Sequence, residues 1–79
     1  MTLTPGRIVL YRLSVQDAEV AREIDISAKA DEIVPAIVVR VWGDTRFSGQ
    51  AFLDGVGSIW LSQVEEGDQR GQWQWPTRQ

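Results

Sequence analysis

The 79-residue chain has no cysteine, no histidine and only three prolines, and none of its apolar stretches is long. Each absence closes a route. Without cysteine, disulfides and thiolate zinc sites are excluded, and the lack fits a reducing compartment, so a cytoplasmic protein is expected. Without histidine and cysteine, the commonest general base and the thiol nucleophile are missing. The carboxylates Asp44, Asp54, Glu65 and Glu66 are what remains for hydrolytic chemistry. Asp44 and Asp54 adjoin glycines in turn sequences, where aspartate bonds its own backbone, and Glu65-Glu66 opens a polar stretch. The expectation is a protein that is not an enzyme. Asp44, Asp54 and Asp68 do not have the spacing of a calcium loop. Gly43, Gly49, Gly55, Gly57, Gly67 and Gly71 read as hairpin punctuation rather than as a phosphate cradle. No metal and no cofactor are expected.

Charge is also scarce in concentrated form. Eight basic and eleven acidic residues give a net charge of −3, and no run of like charge exceeds a dipeptide. Phosphate neutralisation normally needs a basic face, so generic nucleic-acid binding is not expected. No apolar run approaches the ~20 residues that span a bilayer. The start of the chain carries no basic and then apolar leader, and no membrane partner is expected.

A chain this short buries only about 60 to 65 per cent of the surface its unfolded form exposes. Small scaffolds usually compensate with disulfides, a metal or self-association. With the first option gone and the second nearly so, dense aromatic packing or a homo-oligomer is left.

What is present is β-forming. Thr4-Pro5-Gly6 leads into a strand over Arg7 to Leu13, whose two faces both carry apolar residues, so that it is expected to be covered on both sides. Ser14, with Asp17 three residues on, makes a capping box for a helix. Val15, Ala18, Ala21 and Ile24, with Val20 beside them, form its narrow apolar stripe. Glu32 to Trp42 is the strongest strand signal, with Pro35 belonging on an edge or at the strand's beginning. Residues 43–49 read as a loop, and Gln50 to Asp54 as a short strand. A tight turn through Asp54-Gly55 and Gly57-Ser58 leads into a strand over Ile59 to Val64. After a polar loop, Gln72-Trp73-Gln74-Trp75 alternates until Pro76. The whole predicts one α+β domain over residues 1–79, mainly β with one helix. Its order is β-α-β-β-β-β, an antiparallel meander curled into an SH3-like or partly open barrel.

Four tryptophans make up about one residue in twenty, and each can bury ~150 to 250 Å². Trp42 and Trp60, on apolar strands, are expected in the core. Trp73 and Trp75 share one face of a terminal strand with Gln72 and Gln74 opposite. Exposed, the pair would make an apolar patch that needs a partner, and three roles stay open to it: covering the barrel's open end, packing on a neighbouring subunit or stacking on a planar ligand. Arg12 and Arg40 each interrupt an apolar strand face. Such an arginine pairs with an acid, here Asp17, Glu19 or Asp54, or meets an anion. Arg46, Arg70 and Arg78 lie in loop or tail sequence. If an oligomer brought copies of Arg12, Arg40 or Arg46 beside indoles, bidentate phosphate donors would meet stacking rings, a combination suited to a nucleotide. The candidate ligand-binding residues are therefore Arg12, Arg40, Trp42, Arg46, Trp73 and Trp75.

Four segments carry a resemblance: Gly6-Arg7-Ile8-Val9-Leu10-Tyr11-Arg12-Leu13-Ser14, Val39-Arg40-Val41-Trp42, Phe52-Leu53-Asp54-Gly55 and Gly71-Gln72-Trp73-Gln74-Trp75-Pro76. Together they make the chain similar to small accessory proteins encoded by tailed bacteriophages. The resemblance spans most of the chain and constrains residues 14–32 least. It implies a protein acting in the host cytoplasm. Compact phage accessory proteins often counter host defence, some as oligomeric sponges that sequester cyclic or ADP-ribose-derived nucleotides. The expected function is of that kind. A protein-binding inhibitor of a host defence protein and a minor structural component of the phage particle stand behind it.

Overall fold

The described residues form five strands and one helix in the order β-α-β-β-β-β, in a computed structural model that describes residues 2–23, 28–53 and 57–76. The first strand is delivered by a turn. Arg7 N–H donates to the Thr4 carbonyl at 3.1 Å, and Gly6 takes a φ of +94°, which suits glycine. Strand β1 then runs Ile8–Arg12.

Helix α1, Val15–Ala21, begins where its cap predicts. The Ser14 hydroxyl accepts from the Asp17 N–H at 3.0 Å, and the Asp17 carboxylate accepts from the Ser14 N–H at 3.1 Å. The Tyr11 hydroxyl donates to the same carboxylate, tying strand to cap. Of the expected stripe, Ala18 and Ala21 are buried against the sheet, whereas Val15 and Val20 are exposed. A helix of seven residues that rests against β4 reaches the core only through its alanines. Ile24 lies outside the described residues, as does the turn at Asp54-Gly55.

Strands β2 (Ile33–Val41), β3 (Arg46–Phe52) and β4 (Ser58–Glu65) continue the meander, and β5 (Trp73–Gln74) returns to the far side of β1. The sheet order is β4-β3-β2-β1-β5, with every strand pair antiparallel. Pro35 lies in central β2, opposite Leu10 of β1, one residue before the β2–β3 register begins at Ala36–Ala51. Its missing donor thus falls where β3 does not yet need one.

The third strand starts earlier than the sequence predicts, at Arg46 rather than Gln50. Residues 46–49 are strand, not loop, because the bare α-carbon of Gly49 lets two strands and a ring approach closely. A Cβ on Gly49 would stand 2.0 Å from the Ile37 carbonyl oxygen and 2.9 Å from the Phe47 ring. Register shifts flank this point, between Val38 and Arg40 on β2 and between Phe47 and Gly49 on β3. Such bulges increase coiling. The sheet curls into a half-barrel until Gly67 N–H, just past β4, donates to the Trp73 carbonyl at 2.9 Å.

Inside the curl lies one core: Val9, Tyr11, Leu13, Val34, Ala36, Val38, Phe47, Ala51, Ile59, Leu61, Val64 and Trp73 are buried. Of the roles open to the C-terminal pair, Trp73 takes that of covering the open end of the curl, not that of an exposed patch. It is 0 % exposed, its ring meets Phe47 edge-on at 5.7 Å, and its indole N–H donates to the Thr45 carbonyl at 2.9 Å. Trp75, half-buried, stacks edge-on against Trp73 at 5.2 Å. Trp42 and Trp60, expected in the core, are instead 46 % and 55 % exposed. On β4, Ile59 and Leu61 point inward, so Trp60 between them points out.

Candidate binding face

The outer surface of the sheet is set by the same alternation that fills the core. Ile8 of β1 stands opposite Ile37 of β2, Ile37 opposite Gln50 of β3, and Gln50 opposite Trp60 of β4. These four make a cross-strand row on the side away from the core. Two residues along, Phe52 continues the row's face on β3, and Val39 emerges at the β2 bulge. Ile8, Val39, Phe52 and Trp60 are all exposed large hydrophobic residues. The expectation that β1 is covered on both faces holds within one chain only for the inner one.

At one end of this face the register shift at Val38/Arg40 brings Arg40 and Trp42 to the outside together. The Arg40 guanidinium carbon lies 4.3 Å above the Trp42 ring. The indole is fixed from below, because its N–H donates to the Ser48 hydroxyl at 2.8 Å. Ser48 is buried and also accepts from the Gln63 backbone N–H at 3.2 Å, which holds its oxygen in place at the β4 irregularity where Gln63 has a φ of +53°. The Trp42 backbone N–H donates to the Arg46 carbonyl at 2.9 Å, placing Arg46 next to it. Among the described residues Arg40 has no acidic partner within ion-pair distance. Its charge therefore rests on an aromatic face, where exposed cation–π contacts contribute about 0.5 to 1 kcal/mol.

Arg46 is engaged differently. It donates to Glu65, its cross-strand neighbour, and Thr45 donates to the same carboxylate at 3.2 Å. The Arg46 hydrogen bond holds the Glu65 carboxyl below its ordinary value, against the opposing effect of partial desolvation. Arg12 stands on the outer face at the other end, opposite Ile33. Arg40 lies seven residues further along β2, a distance of roughly 20 Å at strand rise. Arg12 sits 3.9 Å from Asp31, whose carboxylate Arg70 grips with two bonds of 2.9 and 2.8 Å. The Arg70 hydrogen bond lowers the Asp31 carboxyl, and Asp31 in turn raises Arg70. This partner of Arg12 is none of the three acids named from sequence. The reason is topological: the link before β2 and the loop before β5 meet beside β1.

Of six candidate site residues, the fold assembles Arg40, Trp42 and Arg46 at one end of the outer face. It separates Arg12 from them and places Trp73 and Trp75 in or against the core. Trp60, Phe52, Gln50, Ile8 and Ile37 belong to the face and were missed. For Trp60 the signal was present in Ile59-Trp60-Leu61, where two inward aliphatic residues force the one between them outward. The described residues enclose no pocket. No three of their acidic side chains gather as a metal site would require.

The chain matches no protein-family model, no curated protein and no solved structure.

Proposed function

We propose that this chain is a non-enzymatic binding protein of a tailed bacteriophage, acting in the host cytoplasm to sequester a small, planar, anionic ligand of nucleotide type. One observation carries the reading: the Arg40 guanidinium stacked on half-exposed Trp42, with no acid to neutralise it among the described residues. A guanidinium lying on a ring keeps the N–H groups of its edge free, and those donate bidentately to a phosphate. The indole edge and surface that Arg40 leaves uncovered offer a base an apolar place to stack, worth about 1 to 3 kcal/mol per base in such sites. Arg46 acts as a neighbour fixed by Glu65 rather than as a free anion donor. The phage setting rests on the resemblance of the four segments quoted above.

The test begins with the protein as purified. It is denatured, and the released small molecules are identified by mass spectrometry. Thermal-shift measurements with cyclic di- and trinucleotides and ADP-ribose derivatives follow. A stoichiometric nucleotide, or stabilisation by one of the probes that is lost in Trp42→Ala and weakened about 10-fold or more in Arg40→Ala, supports the reading. Absence of any released nucleotide together with no stabilisation by any probe overturns it.

A second reading, an inhibitor that binds a host protein, is favoured by the Ile8–Ile37–Gln50–Trp60 row, because exposed aromatic side chains flanked by aliphatic ones make interface anchors. Capture of a host protein by the wild type but not by Trp60→Ala, without any nucleotide effect, selects it.

A further inference from the structure

We propose that a second copy of this chain packs face to face on the outer sheet surface, making a homodimer through Ile8, Ile37, Val39, Phe52 and Trp60, with Trp42 at its margin. The area carries the inference. From their fractional exposures, Ile8, Val39, Phe52 and Trp60, with Trp42 at the margin, leave roughly 500 Å² of surface in water, in the upper half of what soluble monomers show in one patch. Two such faces brought together bury roughly 1,000 Å², which reaches the area needed for a specific interface. The face is also built for stacking. It is a continuous cross-strand row with a single polar member, Gln50, near its centre, where a two-fold axis would let the amide pair with its own copy. Its charged groups, Arg40 with Trp42, Arg46 with Glu65 and Arg12 with Asp31, all lie toward the ends rather than the centre. An apolar centre with a polar rim is the usual anatomy of an interface core.

The dimer has a consequence for the Arg40–Trp42 platform, and this clause rests on the ligand reading above. In one chain the platform is an open shelf. At the rim of a face-to-face dimer, the partner's sheet supplies its second wall and excludes water from one side of the guanidinium.

Light scattering across a dilution series tests the dimer directly. The wild type is expected to be dimeric and to dissociate on dilution, and Trp60→Glu to weaken association by about 100-fold or more while keeping the wild-type circular dichroism spectrum. Because Trp60 and Gln50 both lie outside the core, a second variant guards against misfolding. The chain has no cysteine, so Gln50→Cys introduces a single thiol at the centre of the face. Under mild oxidation it is expected to form an intermolecular disulfide in high yield. A monomeric wild type, a Trp60→Glu variant that dimerises like the wild type, or a Gln50→Cys variant that does not cross-link each overturns the proposal. The shared site is tested with ADP-ribose and cyclic di-AMP as probes. If either binds the wild type, the monomeric Trp60→Glu variant should bind it at least about 10-fold more weakly. Equal binding overturns the shared wall and leaves the ligand reading standing. Failure of both probes on a proven dimer counts against the ligand reading alone.

Discussion

The two faces of one curled sheet hold the same kinds of side chain to opposite ends. Inward, Trp73 and Phe47 meet edge-on and every polar atom of the indole is satisfied. Outward, Trp60 and Trp42 stand beside isoleucine, valine and arginine with about half their surface in water. Residue type does not distinguish these environments. Position in the two-residue alternation does, and so does the presence of a second layer on only one side. In a small chain the inner indoles supply stability, whereas the outer ones are free to supply recognition.

The sharpest break in that comparison comes from truncating one tryptophan on each side. Trp73→Ala should remove about 3 to 5 kcal/mol, because the ring fills the closure of the half-barrel and its N–H is one of two donors to the Thr45 carbonyl, which would keep only the Glu66 N–H. For a domain with only a few kcal/mol to lose, much of the population should be unfolded at 37 °C. Trp60→Ala, in protein dilute enough to be monomeric, should stay within about 0.5 kcal/mol of wild type. Urea titrations followed by circular dichroism measure both, and comparable losses would erase the distinction between the faces.

A smaller contrast uses glycine. Gly49→Ala pushes a methyl group into the Ile37 carbonyl and the Phe47 ring, and should cost about 2 to 3 kcal/mol as strand and ring shift. Gly43→Ala meets nothing within 4 Å and should be neutral to about 0.5 kcal/mol. The same denaturation assay reads the difference.

The smallest effects are those of pH. On the solvent side, Asp31 and Glu65 are held below their ordinary values of 3.8 and 4.5 by Arg70 and Arg46. A carboxyl lowered by folding stabilises at every pH above its unfolded value and loses that contribution as the pH falls through the lowered one. The melting temperature should therefore drift down below about pH 4, less so in high salt, because these groups are exposed and screened. On the core side, burial, and then the hydrogen bond to Asp17 and its charge, raise Tyr11 above its ordinary 10.0. A hydroxyl raised by folding stabilises below its unfolded value and loses that contribution as the pH climbs above it. Alkaline melts of wild type and Tyr11→Phe should diverge from about pH 10 upward.

Local features were legible in the sequence. The capping box of Ser14 and Asp17 needs only neighbours four residues away at most, and the antiparallel pairing of β2 with β3 and of β3 with β4 follows from short connections, whereas the place of β5 beside β1 does not. The features that escaped depend on distant partners. Whether Trp73 or Gln72 faces inward is decided by Phe47 and Thr45, more than two dozen residues earlier, so strict alternation in Gln72-Trp73-Gln74-Trp75 showed a face without showing which one. The start of β3 was hidden because Ser48-Gly49 has the composition of a loop. Its role as strand appears only when the Ile37 carbonyl closes on the bare glycine. Arg40 and Trp42 were both named as candidates, but the irregularity at Val39 that brings them outward together is a property of pairing with β3, not of β2.

The hydrogen bond from Trp73 to Thr45 also sets a timetable for synthesis. Strands β1 to β4 leave the ribosome first, and at about 5 to 20 residues per second roughly a second separates the end of β4 from the arrival of β5. During that interval Phe47 has no indole against it and the β1 edge has no partner. Nascent chains stalled just before residue 73 should accordingly be the form most readily bound by chaperones and cut by proteases.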